Sequence, residues 1–96
     1  MEPSTLKKNY QSRSGISWVV EKNGIRLFKE MTGNSIFLNY PEAALWDLIS
    51  QGYSYLRAEM VLSRIFSMDP AETQKMMNDS LEYLEKEGFL ELEKHG

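Results

Sequence analysis

The sequence predicts an α+β fold in which a three-stranded antiparallel meander precedes three helices, in a winged helix-turn-helix-like arrangement. Between residues 16 and 39, three runs rich in β-branched and aromatic residues are separated by short turns that contain glycine. From residue 41 onward, apolar residues recur at three- and four-residue spacing between proline, glycine and capping residues. A chain of 96 residues has room for one hydrophobic core.

The composition excludes several kinds of chemistry. The sequence has no cysteine, so thiolate nucleophiles, iron–sulfur clusters and cysteine-based zinc sites are ruled out. One histidine, His95, cannot form a metal site and has no acidic or thiol partner near it in the sequence. We find no phosphate-binding glycine loop, paired-carboxylate motif or serine nucleophile motif. We therefore expect a protein with no enzymatic activity, no cofactor and no metal.

Charge is distributed unevenly along the chain. Residues 1–40 contain six Lys and Arg against three Asp and Glu, whereas residues 41–96 contain five against eleven. An acidic C-terminal half repels a phosphate backbone, which argues against nucleic acid as a partner there. The N-terminal residues lack the apolar stretch of a signal peptide, and no apolar run approaches membrane-spanning length. We expect a cytoplasmic protein with no membrane partner.

The three strands are predicted from turns and residue types. Residues 1–15 are polar, include Pro3 and three serines, and are predicted to form a flexible tail. The strands ISWVVEK and IRLFKE flank Asn23-Gly24, which predicts a hairpin with a type I′ turn. A second turn at residues 31–33 leads into NSIFLN, predicted as a third strand beside the second.

Capping residues define the three helices. Pro41 is predicted at the first helical position of the first helix, after a cap at residue 39 or 40, and Gly52 closes that helix. Ser54 is the predicted N-cap of YLRAEMVLSRIF. The run Asp-Pro-Ala-Glu at residues 69–72 predicts a capping box for a third helix that continues to residue 87. Gly88 ends that helix, residues 89–92 fold back on the core, and residues 93–96 form a second flexible tail.

Residues 16–92 resemble the coenzyme PQQ synthesis protein D (PqqD) family. Residues 32–49, TGNSIFLNYPEAALWDLI, are similar to its pattern T-G-x-x-x-x-L-N-x-T-G-A-x-I-W-x-L-L. Downstream, GYS, FSMDP and LEYLEKEGFL resemble its G-x-T, Y-D-V-D-P and F-L-x-x-L-x-x-x-G-L-L segments. Two departures stand out. Pro41 and Glu42 replace the T-G of the family pattern, and Ala58 replaces a branched residue of its second helix.

The resemblance implies a RiPP recognition element, a winged-helix module that binds the leader segment of a ribosomally synthesised precursor peptide. In that family the leader adds as a strand to the edge of the third strand and lies against the third helix. A separate modifying enzyme, such as a radical SAM protein or a protease, then acts on the peptide. The peptide-binding residues implied here are Ser35, Ile36, Phe37, Leu38, Asn39, Met76, Ser80 and Tyr83.

Residue periodicity refines this site and leaves one alternative open. Strand alternation places Ile36 and Leu38 on one face and Ser35 and Phe37 on the other, with Leu38 inward and Phe37 nearer the groove. On the third helix, a stripe of residues at three- and four-residue spacing is the candidate groove wall. It consists of Thr73, Met76, Ser80 and Tyr83. The alternative is that this stripe is only the wider part of a buried face.

Two further hypotheses compete with leader binding. A winged-helix shape is typical of DNA-binding regulators, but residues 69–87 contain six acids and two bases, which disfavours phosphate contacts. An open edge strand, free of the charges and prolines that usually protect edges, could instead pair with a second copy and form a homodimer. Trp46 and Trp18 are assigned to the core, because large aromatic residues dominate small cores.

Overall fold

The computed structural model describes residues 9–93 of the chain, with eight elements. They are β1 (Tyr10–Ser12), β2 (Ile16–Glu21), β3 (Gly24–Lys29), β4 (Ser35–Asn39), α1 (Glu42–Ser50), α2 (Tyr55–Ile65), α3 (Pro70–Lys86) and β5 (Leu90–Leu92). The predicted α+β class is confirmed, since an antiparallel sheet of order β2-β3-β4 precedes the three helices. In addition, β1 and β5 form a two-stranded antiparallel sheet that the sequence did not predict.

The hairpin between β2 and β3 forms as predicted, but its turn lies one residue earlier. Glu21 pairs with Gly24, so the loop is Lys22–Asn23, and neither loop residue has the positive φ of a type I′ turn. Gly24 instead begins β3, where a Cβ would overlap the carbonyl oxygen of Leu38 on β4. Glycine is therefore required at this position by the close approach of two strands.

The core lies between the inner face of the three-stranded sheet and the helices. Alternate residues Ile25, Leu27 and Leu38 are buried on that face, as a period of two requires. Trp46 on α1 is fully buried, and its ring meets that of Trp18 edge to face at a centroid distance of 5.3 Å. Trp18 itself remains 37% exposed, so the prediction that it belongs to the core is corrected, because β2 is an edge strand.

The N-cap residues of α2 and α3 are the ones that the sequence predicts, whereas the N-cap of α1 is a different residue. Ser54 accepts a hydrogen bond from the backbone N–H of Arg57 at 3.2 Å. At α3 the capping box is complete, with Asp69 and Glu72 each accepting from the other's backbone N–H at 2.8 and 3.1 Å. At α1, Pro41 is itself the N-cap and provides no side-chain bond, so the cap predicted at residue 39 or 40 is wrong.

The N-terminal segment is ordered where the sequence predicted a flexible tail. Residues 1–8 and 94–96 lie outside the described residues, but residues 10–12 form β1 and pair with β5. Asn9 Oδ1 accepts a hydrogen bond from the N–H of Tyr55 at 2.9 Å, which joins this segment to the start of α2. The backbone N–H of Glu93 donates to the carbonyl of Asn9, also at 2.9 Å. The segment is held by these bonds and by strand pairing, which its polar composition does not reveal.

Within residues 9–93, no helix has both the length and the apolar content needed to cross a bilayer.

The close approach at Gly24 predicts a large effect of a single methyl group. Gly24→Ala is expected to lower the free energy of unfolding by about 3 kcal/mol, because the strands must separate to admit the methyl group. Gly15→Ala is the control. No atom lies within 4 Å of its added Cβ, so only the backbone at φ +83° opposes it, at about 1 kcal/mol. Urea denaturation measures both variants, and equal losses would contradict the packing argument.

The hydrogen bond of Asn9 predicts that the N-terminal segment contributes to stability. Asn9→Ala removes the acceptor from the Tyr55 N–H and is expected to cost about 1–2 kcal/mol in urea denaturation. Asn9→Asp keeps an acceptor oxygen at the same place and is expected to stay within about 0.5 kcal/mol of wild type. A wild-type midpoint for Asn9→Ala would show that this segment contributes nothing.

The buried indole of Trp46 predicts losses of very different size for two substitutions. Its Nε1–H has no hydrogen-bond partner among the described residues, so Trp46→Phe removes an unsatisfied donor along with some volume. We expect that variant to lose about 1 kcal/mol or less, whereas Trp46→Ala should lose about 4 kcal/mol through the cavity it leaves. Thermal and urea denaturation distinguish the two. A loss of several kcal/mol for Trp46→Phe would mean that the indole N–H is satisfied in solution.

Candidate functional site

A groove runs between β4 and α3. It has a volume of about 360 Å³, and the start of α1 closes part of its rim. β4 pairs with β3 on one side only, and no other described strand covers its second side. The lining residues are Phe37, Leu38, Asn39, Glu42, Asp79, Ser80, Tyr83 and Leu84. This is the place in which the sequence predicted a binding site, at the junction of the edge strand and the third helix.

The strand register determines which backbone groups of β4 are open. The N–H of Lys29 donates to the carbonyl of Asn34 at 2.8 Å, just before β4 begins. In an antiparallel pair, residues alternate between those that bond to the partner strand and those that do not. The N–H and C=O groups of Ile36 and Leu38 therefore point to β3, and those of Ser35, Phe37 and Asn39 point away from it. The outer edge of β4 thus offers three donor and acceptor pairs in a row.

Apolar side chains form the floor and walls of the groove. Leu38 is 8% exposed and presents a small apolar surface, and the fully buried Leu84 lies behind the lining as part of the core. Phe37 and Tyr83 stand at the sides, and the Tyr83 ring is half exposed. The guanidinium of Arg26 lies over the Phe37 ring, 5.1 Å from its centroid, and holds it in place. The groove can accept an apolar side chain beside an extended backbone.

The structure brings together five of the eight predicted site residues. Phe37, Leu38, Asn39, Ser80 and Tyr83 all line the groove.

The other three predicted residues lie outside the groove lining. Ser35 is exposed on the same strand and contributes only its outward backbone groups. Ile36 and Met76 are partly buried against the core and do not line the groove, and their part in peptide binding stays a prediction. The alternation prediction holds, with Leu38 inward and Phe37 at the groove.

The sequence left two interpretations of the candidate stripe on α3, groove wall or buried face, and each fits one part of the stripe. Thr73 is fully buried and Met76 partly buried, as a wide core face requires. Ser80 and Tyr83, nearer the C-terminal end, line the groove. The Ser80 hydroxyl lies 3.8 Å from the sulfur of Met76, which connects the two parts. The N-terminal half of the stripe is thus buried and its C-terminal half lines the groove, a difference that spacing alone could not reveal.

Sequence reasoning missed three groove residues. Leu84 lies outside the candidate stripe of α3, and it is a fully buried core residue that also borders the groove. Asp79 precedes Ser80 on α3 and lines the groove with it. Glu42 is the first residue of α1, and its place three residues after the end of β4 was the available signal.

The polar character of the groove is acidic. Of its eight lining residues, Glu42 and Asp79 carry carboxylates and none carries a positive charge. Lys75 approaches Asp79 from one helical turn away, with Nζ 3.0 Å from Oδ2. Across the described part of the chain, no group of three or more His, Cys, Asp or Glu side chains is placed to hold a metal ion.

Comparison with solved structures identifies proteins of the same fold. One is TbiB1 in complex with the TbiA(beta) leader peptide, with a TM-score of 0.78 and 16% sequence identity over 90% of this chain and 98% of that chain. Another is lasso peptide synthetase B1 complexed with the leader peptide, with a TM-score of 0.78 and 17% identity over 86% and 98%. No protein-family model and no curated protein matches the chain.

The comparisons establish the class of fold. The chain shares the fold of these two proteins. Membership of the PqqD family in particular stays a prediction.

Proposed function

We propose that the protein is a non-catalytic peptide-binding chaperone that recognises the leader segment of a ribosomally synthesised precursor peptide. The leader adds as a strand to β4 and lies in the groove against α3. The observation that carries the proposal is the row of outward backbone groups on Ser35, Phe37 and Asn39 beside an apolar groove. Backbone hydrogen bonds along the strand supply affinity, and the groove side chains supply selectivity.

The comparisons support this proposal. Both solved structures with the same fold are complexes with a leader peptide, and each covers most of this chain. The resemblance to the PqqD family points to the same activity. The bound precursor would be presented in the cytoplasm to a separate modifying enzyme, either a radical SAM protein or a protease.

Two other functions have less support from the structure. DNA binding would require a basic reading helix, whereas α3 presents acidic residues and the groove beside it carries two carboxylates. Homodimer formation through β4 uses the same open edge and is the more serious competitor. The two modes exclude each other at that edge, so a concentration series by analytical ultracentrifugation with and without peptide separates them.

Strand addition predicts a specific response to proline on the edge. Phe37→Ala removes the groove wall, whereas Phe37→Pro removes the wall and the outward N–H as well. Proline is tolerated on an edge strand where the N–H faces outward, so both variants should fold. We expect Phe37→Pro to bind peptide about fivefold more weakly than Phe37→Ala, as the loss of one hydrogen bond implies.

The measurement is an NMR titration of labelled protein with the leader segment of a short precursor encoded beside its gene. Shifts should concentrate at residues 35–39 and at Ser80 and Tyr83. Ile36→Pro is the matched control, because its N–H points to β3 and its loss should damage the sheet itself. Equal affinities for Phe37→Ala and Phe37→Pro, or shifts on another surface, would contradict strand addition.

A further inference from the structure

The groove combines an open strand edge with side chains of negative charge only. Its two charged lining groups are the carboxylates of Glu42, at the start of α1, and Asp79, on α3. A partly enclosed groove concentrates the field of charges on its walls. An acidic side chain entering it meets like charges from two elements, and a basic side chain meets two opposite ones.

Lys75 contacts the groove lining at Asp79, and this ion pair is weak. Lys75 pairs with Asp79 along one face of α3, but the two side chains are 79% and 66% exposed. Exposed pairs at this spacing contribute little, because water screens them and both side chains lose freedom. A Lys or Arg of a bound peptide can therefore replace Lys75 as the ion-pair partner of Asp79. Arg26, at the Phe37 side, is already paired with Glu21 at 3.0 Å.

We propose, on the basis of the proposed function, that the groove selects extended peptides with Lys or Arg facing Asp79 and Glu42. In an extended strand, residues two positions apart share a face. The preferred peptide therefore carries its basic residue two positions from an apolar residue, which rests on Leu38 between the Phe37 and Tyr83 rings. The two carboxylates set the charge of the ligand, and the open edge of β4 sets its conformation.

The test is a selection from a random 12-residue peptide library displayed on phage, with the wild-type chain immobilised. Parallel selections use the double variant Glu42→Gln/Asp79→Asn and the control Glu82→Gln. The control removes one carboxylate from α3 at an exposed position that does not line the groove. We expect Lys or Arg two positions from an apolar residue in peptides selected by wild type and by Glu82→Gln. The double variant should lose that preference.

Affinities of one selected peptide make the test quantitative. Replacing its basic residue by norleucine should weaken binding to wild type about fivefold at low salt, and raising the salt to about 300 mM should remove most of that difference. The double variant should bind both peptides about equally. Peptides that bind at the groove with no basic preference would overturn this inference and leave the proposed function standing. If no library peptide binds the groove at all, the proposed function fails and the inference with it.

Discussion

The burial of Trp46 is the interaction on which the rest of the structure depends. Its indole is fully covered and meets Trp18 edge to face, so α1 is anchored to the sheet that precedes it. Only Tyr40 and Pro41 separate β4 from α1, which leaves the helix little freedom to take another position. Because α3 packs against α1, the distance between β4 and α3 follows from this anchor. The width of the groove is thus determined by a residue that does not line it.

The fold was predictable where local chemistry and tertiary packing agree. The capping box at Asp69 and Glu72 and the Ser54 cap have short-range causes, and they formed as the sequence indicated. The turn at Lys22–Asn23 did not, because close packing of Gly24 on β4 outweighed the turn preference of Asn-Gly. β1 was missed for a different reason. Its three residues carry no periodicity, and only pairing with β5, far along the chain, makes them a strand.

The candidate site was predictable in position and less so in composition. Strand alternation sufficed to place Phe37 at the groove and Leu38 beneath it. Helical spacing could not separate Met76, which packs against the core, from Ser80, which lines the groove. The stripe on α3 passes from core to groove within one helical turn. The acidic lining arises because the start of α1 lies near α3, and this depends on tertiary packing that the sequence pattern does not show. An edge such as β4, without proline or charge to block pairing, is ordinarily a liability, and the proposed peptide would cover it.

The short sheet of β1 and β5 has a consequence for protein architecture. Antiparallel pairing of Tyr10 with Leu92 brings the two ends of the described chain side by side, and the bond from Glu93 to Asn9 closes them together. A second domain joined directly at residue 9 or at residue 93 would therefore emerge from the same corner of the molecule. Gene fusions in either order would give nearly the same spatial arrangement, and the fold could be inserted into a surface loop of another protein without being opened.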